Sequence, residues 1–389
     1  MLTVLIAITI KTNAQWVEPS QVSSNSQNVY SLASDGTNIF AGTGSAGVSL
    51  STNDANSWAA VNNGLTSTGI SAFAISGSNI FAGGTGIFLS SNNGGSWTPL
   101  NNGLTNTNVL SLAISGNNIF AGTNASVFLS TNNGGLWTAA NTGCYPGQIS
   151  ALAVSGINIF AGAPNNGVYL SSNNGGLWTH VSNGLTNMDV HSLTTSGTTI
   201  FAGTSGGVFI STNNGTLWTA VNNGLTNLNI NSLLINGTTI FAGTDDGVFY
   251  SNNMGTSWSS FNSGFPANTS VRALTISGTY IFAGIVLSPN GVWRRPLSEA
   301  TGIVENRDYN SLNLYPNPFS STTTLQTDKV LKDAILTVYN SFGQQVKQIK
   351  NISGQTITLN RDNLPSGFYF IHVTQDNKVI SSDKLIITD

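Results

Sequence analysis

The sequence predicts an all-β chain: a seven-bladed β-propeller followed by a small immunoglobulin-like β-sandwich. Three observations carry this expectation. The tetrapeptide Ile-Phe-Ala-Gly begins at Ile39, Ile80, Ile119, Ile159, Ile200, Ile240 and Ile281, at spacings of 39 to 41 residues. Each period holds four short β-rich runs parted by Gly, Asn, Ser or Thr, and no run has the length or apolar period of a helix. The period then stops and charge rises: residues 302–389 hold 8 basic and 8 acidic side chains, whereas residues 15–298 hold 3 and 6. Four strands in each repeat of about 40 residues, seven times over, describe propeller blades. A β-helix needs a shorter repeat, and a leucine-rich array needs its Leu/Asn ladder.

The chain opens on a short apolar run, Leu2–Ile10, followed by Thr-Asn-Ala and Gln15. This is the pattern of a signal peptide over residues 1–14, cleaved after Ala14 with Thr12 three residues before the cut. A charged n-region is missing, so the expected start lies upstream. No apolar run approaches the roughly 20 residues that span a bilayer as a helix, and no transmembrane segment is expected.

Blade bookkeeping predicts how the ring closes. Trp16 lies 23 residues before Ile39, matching the 22 or 23 residues between each later repeat Trp and the next Ile-Phe-Ala-Gly. Gly291–Trp293 matches Gly207–Phe209, and no further Trp-ended turn follows it. The last blade therefore has three strands from its own stretch of chain and takes its fourth from the segment around Trp16. Closing a ring with both ends of the array removes exposed sheet edges. The expected organisation is a propeller over 15–298, a linker over 299–311 and a second domain over 312–389.

Between the third and fourth strands, six turns have the form Ser-x-Asn-x-Gly-x-x-Trp. They are Ser51/Asn53/Trp58, Ser90/Asn92/Trp97, Ser130/Asn132/Trp137, Ser171/Asn173/Trp178, Ser211/Asn213/Trp218 and Ser251/Asn253/Trp258, with Ala55 replacing Gly in the first. The pattern resembles the Asp-box of bacterial-neuraminidase-type and sortilin-like repeats, with Asn standing where that family has Asp. The physical role expected is a hairpin clasp: a short Asx side chain caps backbone N–H groups, Gly takes positive φ, and Trp packs. A calcium site needs several carboxylates, and only Asp54 among these turns is acidic, so no metal is expected. Such boxes occur in enzymes and non-enzymes alike and define a fold rather than an activity.

The candidate site lies on the opposite face. Aligning the seven inner strands leaves their first, third and fourth positions nearly uniform. The second reads Tyr30, Ser71, Leu110, Ser150, His191, Asn231, Arg272. Variation on a uniform frame marks residues released from packing around the mouth of the channel. Asp189, Asp245 and Asp246 fall on the same face. The candidate ligand-binding set is Tyr30, Asp189, His191, Asn231, Asp245, Asp246 and Arg272. Against this stands the plainer reading that Thr-Asp-Asp-Gly is a good turn and His191 a solvated surface residue. Arg294 and Arg295 fall at the other end of their strand and are expected to finish the closing blade. Lengthened loops at Cys144–Gln148 and Val286–Gly291 would shape the rim.

Net charge of −3 excludes a general nucleic-acid binder and a polybasic membrane-surface protein. Only 7% of residues are charged, against roughly 25% in ordinary soluble proteins, so neutral polar side chains must keep the chain in solution. The one cysteine, Cys144, allows no disulfide framework or thiolate cluster, and sibling turns place Leu or Phe there. A sialidase would need three arginines around a carboxylate, a tyrosine nucleophile and six blades; the propeller offers Arg272, Arg294 and Arg295, two of them adjacent. A two-carboxylate glycosidase needs acids about 5–9.5 Å apart, for which Asp189 and Asp245 are the available pair. No Ser-His-Asp spacing or phosphate loop stands out, and no catalytic residue or cofactor is assigned.

In the second domain, seven short strand-like runs within residues 312–389 are the basis of the expected sandwich. Four ordered motifs, LNLYPNPFSSTTTL, LTVYNSFGQQV, LPSGFYFIHV and KLIITD, resemble the C-terminal sorting domain of type IX secretion substrates, secreted proteins of the Bacteroidetes. The resemblance implies export through the periplasm and recognition by the type IX translocon and its sorting machinery. Release or anchoring at the cell surface would follow. Tyr315, Pro316, Asn317, Pro318, Phe319, Gly367, Tyr369 and Lys384 would then be recognition elements. The functional expectation is a secreted or surface-displayed, non-catalytic binding or adhesion propeller with a glycan or protein ligand. A glycoside hydrolase of extracellular polysaccharide is one alternative. An assembly scaffold, resembling the photosystem assembly-factor propellers, is the other.

Overall fold

The computed structural model describes residues 15–17, 22, 28–287, 291–300, 312–340, 344–375 and 378–389. The expected signal peptide, residues 301–311 of the expected linker and Ser288–Asn290 of one rim loop lie outside them. The chain divides into two units, Met1–Ile303 and Val304–Asp389.

The first unit is a propeller of seven blades, six of four antiparallel strands and one of three, each blade ordered as its strands occur in sequence. The inner strands are Val29–Ser34, Ile70–Ser76, Val109–Ser115, Ala151–Ser155, Val190–Ser196, Ile230–Asn236 and Ser270–Ser277. Each packs beside the next, and the seventh returns to the first. The Ile-Phe-Ala-Gly run is the second strand. Its Ile, Phe and Ala are at most 2% exposed in all seven copies, because they are sandwiched between neighbouring blades. Burying one Phe in this way contributes about 1.5–3 kcal/mol. The Gly is required by the same closeness: a Cβ on Gly42 would lie 2.8 Å from the Ile70 carbonyl oxygen of the following blade. Outer strands are two residues long and exposed, which leaves little open edge for pairing with another chain.

The six Ser-x-Asn turns are one structure repeated. In each, a buried Ser hydroxyl donates to the Asn side-chain oxygen two residues on, at 2.8–3.1 Å. The same hydroxyl accepts the N–H of the residue four on. The side-chain oxygens of Asn53, Asn92, Asn132, Asn173, Asn213 and Asn253 accept the N–H groups of Ser57, Ser96, Leu136, Leu177, Leu217 and Ser257 at 2.8–3.0 Å. Residues three and four after the Ser have positive φ; Ala55 takes φ 62° where its siblings carry Gly. These bonds use a neutral acceptor oxygen, so Asn serves in all six copies.

Within the clasp the residues differ in burial. Ser51, Ser90, Ser130, Ser171, Ser211 and Ser251 are buried, whereas Asn53, Asn92, Asn132, Asn173, Asn213 and Asn253 are all exposed. The N–H groups that these asparagines cap belong to residues that are themselves exposed. The amide therefore stays on the solvent side of the turn while only its oxygen is spent on the backbone. Capping by Asn is local and superficial; the serine and the tryptophan connect the turn to the interior.

The tryptophans tie blade to blade. Trp97, Trp137, Trp178, Trp218 and Trp258 donate their indole N–H to the carbonyls of Val61, Leu100, Ala140, Val181 and Val221, each on the preceding blade, at 2.7–2.8 Å. Their backbone N–H groups reach the next turn of that blade at 2.8–2.9 Å. The equivalent acceptor for Trp58 would be residue 19, outside the described residues.

Closure follows the same rule. Val17 bridges to Arg294 at the open edge of the three-stranded blade. Trp16, 1% exposed, donates its indole N–H to the Phe261 carbonyl and its backbone N–H to Ser263. Its ring stacks on Phe265 at 4.6 Å. Arg295, 8% exposed, donates to the same Phe261 carbonyl at 2.8 Å, lies 3.7 Å over the Phe261 ring and pairs with Glu299 at 2.7 Å. Arg294 bonds to the Asp54 carbonyl of the first blade. The blade continues through a 3-10 turn, Leu297–Glu299, to Ala300, which is buried and accepts a bond from Asn252.

The second unit is a curled antiparallel sheet of five strands: β1 (Leu312–Tyr315), β2 (Thr322–Asn340), β3 (Gln345–Asn360), β4 (Gly367–Gln375) and β5 (Lys378–Ile387). The seven short runs read from sequence merge because two pairs of them are single long strands. Register shifts between Gln326 and Leu336, with Asp333 and Asn351 at positive φ, bend β2 and β3 without ending them. The first half of β2 pairs with β1 and its second half with β4. The bent sheet thereby encloses one core, including Leu325, Leu336, Val338, Leu359, Ile371 and Leu385, all fully buried.

Candidate functional site

At the top of six inner strands the ladder slips by one residue. The extra residue is the variable second position: Tyr30, Ser71, Leu110, His191, Asn231 and Arg272. A β-bulge releases one residue from pairing and re-aims its side chain, which is why this position alone varies. Ser71, Leu110, Ser150, His191, Asn231 and Arg272 all line an opening of about 230 Å³ on the propeller axis. Tyr30 stands apart from that lining. Its ring is half-exposed and covers Gly44, where a Cβ would come 2.8 Å from it.

A second regularity places the partners. The turn residue fourteen positions after the bulge meets it: Gly44 under Tyr30, Ser205 against His191, Asp245 against Asn231. Asn231 is 9% exposed; its amide donates to Asp245 Oδ1 at 2.8 Å, and its oxygen accepts from Arg272 Nη1 at 2.8 Å. Ser270 donates to Asp245 Oδ1 at 2.9 Å, and Asn229 donates to its other oxygen. Burial alone would raise the Asp245 pKa, but the bonds from Asn231, Ser270 and Asn229, with the Arg272 charge, outweigh it and hold the carboxyl below its ordinary range. Arg272, exposed and fixed through one nitrogen, makes no other side-chain bond among the described residues.

One blade earlier, Asp189, His191 and Ser205 form a three-cornered contact. Ser205 donates to Asp189 Oδ2 at 2.6 Å, and His191 Nε2 lies 2.9 Å from Ser205 Oγ and 3.3 Å from Asp189 Oδ2. A nucleophile relay needs the imidazole between serine and acid, using both ring nitrogens. Here one nitrogen meets both and the serine proton points at the carboxylate, so the set orients His191 and relays nothing. Asp246 lies outside both clusters: its carboxylate accepts the Asn268 N–H at 3.0 Å and braces a turn. Ser205, Asn229 and Ser270 were not singled out from sequence; the fourteen-residue offset within one blade is the signal that finds Ser205.

A larger groove of about 640 Å³ lies on the rim beside His180, Ser182 and Met188. It opens where Ser182 replaces the Asn that sibling blades use to hold a turn carbonyl. His180 Nε2, 3.1 Å from the Asn166 oxygen, supplies the missing donor in the tautomer protonated there. Its imidazole is therefore occupied by the fold. Burial pushes the Cys144 thiol up to about 11, which keeps it protonated and unreactive.

In the second unit, the residues expected to carry sorting information converge on one edge. Asn317 donates to the Lys384 carbonyl and accepts from the Ile386 N–H, both at 2.8 Å. Phe319, 3% exposed, bridges to Ile387, which pairs with Gly367. The Pro316 carbonyl accepts from Thr323, and the Tyr369 hydroxyl donates to Pro365. Tyr315 is 82% exposed, and Lys384 Nζ sits 4.2 Å over the Phe368 ring.

Residues 313–388 match the family model of the secretion system C-terminal sorting domain. The chain is thus a seven-bladed propeller carrying a type IX secretion sorting tail, a cargo exported to the cell surface or extracellular space. No helix among the described residues is long and apolar enough to cross a membrane. Solved structures are similar in fold. PorZ of Porphyromonas gingivalis, an essential surface component of its type IX secretion system, shares 14% identity at TM-score 0.55, over 96% of this chain and 61% of its own. The GH74 enzyme of Niastella koreensis shares 18% at TM-score 0.55, over 69% and 43%. YCF48 bound to D1 peptide shares 13% at TM-score 0.57, over 74% and 98%. No curated protein sequence matches the chain significantly.

Proposed function

We propose that the propeller is a non-catalytic binding module whose ligand, a glycan or a peptide, seats over the channel mouth against His191, Asn231 and Arg272. One observation carries this reading. Asn231 divides its amide between Asp245 and Arg272, so a guanidinium is aimed at the opening with most of its N–H groups uncommitted. A surface arginine that served only solubility would need no such buried support. The similarity in fold to a peptide-bound propeller and to a glycoside hydrolase supports both ligand classes. Asp245, hydrogen-bonded by Asn231, Ser270 and Asn229 and held below its ordinary range, is unsuited to the general-acid role of a glycosidase. A glycan array and a peptide array, run beside a panel of glycosidase substrates, test the proposal. Binding abolished by Arg272→Ala, with no turnover, is expected. Turnover abolished by Asp189→Ala or Asp245→Ala would overturn it.

A further inference from the structure

We propose that Arg361, together with Asn317, assembles the sorting signal, so that the secretion machinery reads a folded composite of three distant segments rather than a linear tail. The three segments are the Tyr315–Ser320 stretch, the Leu364–Gly367 turn and the residues from Lys384 onward. Arg361 lies between them at the end of β3. Its Nε donates to the Leu364 carbonyl at 3.0 Å, and Nη1 donates to the carbonyls of Thr388 at 2.9 Å and Ser320 at 3.4 Å. Nη2 reaches Ser366 Oγ at 3.2 Å and Asp389 Oδ1 at 3.3 Å, and Ser366 itself donates to Asp389. One planar guanidinium therefore fixes the mutual register of all three segments, a task suited to its rigid fork of donors and not to a lysine point charge.

Asn317 repeats the device from the other side, with both ends of its amide on the backbone of β5. Neither residue belongs to the apolar core, which is complete without them. An exposed ion pair contributes little to stability, and Asp389 is 93% exposed, so stability alone does not account for five acceptors on one arginine. What the pair secures is a surface on which exposed Tyr315, Phe368 and Lys384 hold fixed positions. Arg361 and Asn317 act here as positioning residues.

The test is export of the full-length chain from a cell carrying type IX machinery, read as the exported fraction beside the melting temperature of the purified protein. Arg361→Ala and Asn317→Ala each remove hydrogen bonds that hold the recognition surface together and are each expected to lower the exported fraction about tenfold. Arg361→Lys is expected to rescue only part of it. Ile352→Val, which thins the core away from this edge, supplies a control of comparable melting temperature and should export normally. Export of the alanine variants at the wild-type level would overturn the proposal, as would an equal loss in the Ile352→Val control. A chain lacking residues 312–377, in which residues 378–389 follow the propeller directly, should not be exported. Its export would show that a linear tail suffices.

Discussion

Trp16 and Phe261 lie 245 residues apart in sequence, yet the indole N–H of one donates to the carbonyl of the other and their rings meet edge to face at 5.9 Å. This is the bond that every described neighbouring pair of blades makes through a repeat Trp, here made by the segment that precedes the first blade. Trp16→Ala removes a fully buried indole and unlocks the ring at its seam. A loss of about 3–5 kcal/mol is expected, larger than for Trp97→Ala, whose blade is held by covalent connections on both sides. Thermal unfolding of the two variants checks this; equal losses would mean that closure adds nothing to stability.

The Ser-x-Asn turns make a sharper chemical prediction. Ser130→Ala leaves the buried Gly134 N–H without its acceptor and should cost about 1–3 kcal/mol. Asn132→Asp should fold with stability unchanged to within about 1 kcal/mol, because the acceptor oxygen that binds Leu136 N–H is retained. Adding calcium should not shift its melting temperature. A calcium-dependent rise in the wild-type protein would contradict the framework role.

Much of this was legible because a repeat forces uniformity. Seven near-identical Ile-Phe-Ala-Gly runs state that seven equivalent interfaces exist, and Trp16 betrays itself by its spacing. The bulge position was visible as the one that varies, since only a side chain released from packing is free to vary. Its surroundings were hidden, because Ser205 and Asn229 look like ordinary turn residues until the fold sets them against Asp189 and Asp245. Tyr30 shares the bulge but turns outward over Gly44, a difference decided by the missing Cβ of another segment. In the second unit no repeat disciplines the reading. Bends within β2 and β3 look like breaks, because Asp333 and Asn351 are turn formers locally, and pairing across the whole sheet overrides that preference.

The Asp245 carboxyl gives the mouth an acid limit. Its pKa is lowered from an ordinary 3.8, so its stabilising contribution is fully present above that value and is lost as pH falls through the lower folded-state value. Asp245→Asn should therefore melt below wild type at pH 7, with the difference closing in strongly acid solution. Ligand binding, where it depends on Arg272 being aimed through Asn231, should fall over the same acid range. A constant difference in melting temperature from pH 7 to pH 2.5 would show that the network does not depend on the charge.

At the seam, Arg295 and Glu299 should prove unequal partners. Arg295 contributes three things at once: an ion pair with Glu299, a bond to the Phe261 carbonyl that also receives the Trp16 indole, and cover for the Phe261 ring. Arg295→Ala loses all three and leaves Glu299 without this partner, so a loss of about 3–5 kcal/mol is expected. Glu299→Ala removes only the ion pair and leaves the guanidinium stacked and hydrogen-bonded. About 1–2 kcal/mol is expected there, in line with a charged hydrogen bond that is partly open to water. Arg295→Met keeps the apolar cover without charge and should recover part of the loss, because packing on Phe261 is independent of the pair. A double-mutant cycle isolates the coupling. If Glu299→Ala proved as damaging as Arg295→Ala, the ion pair rather than the Phe261 contact would be what holds the seam.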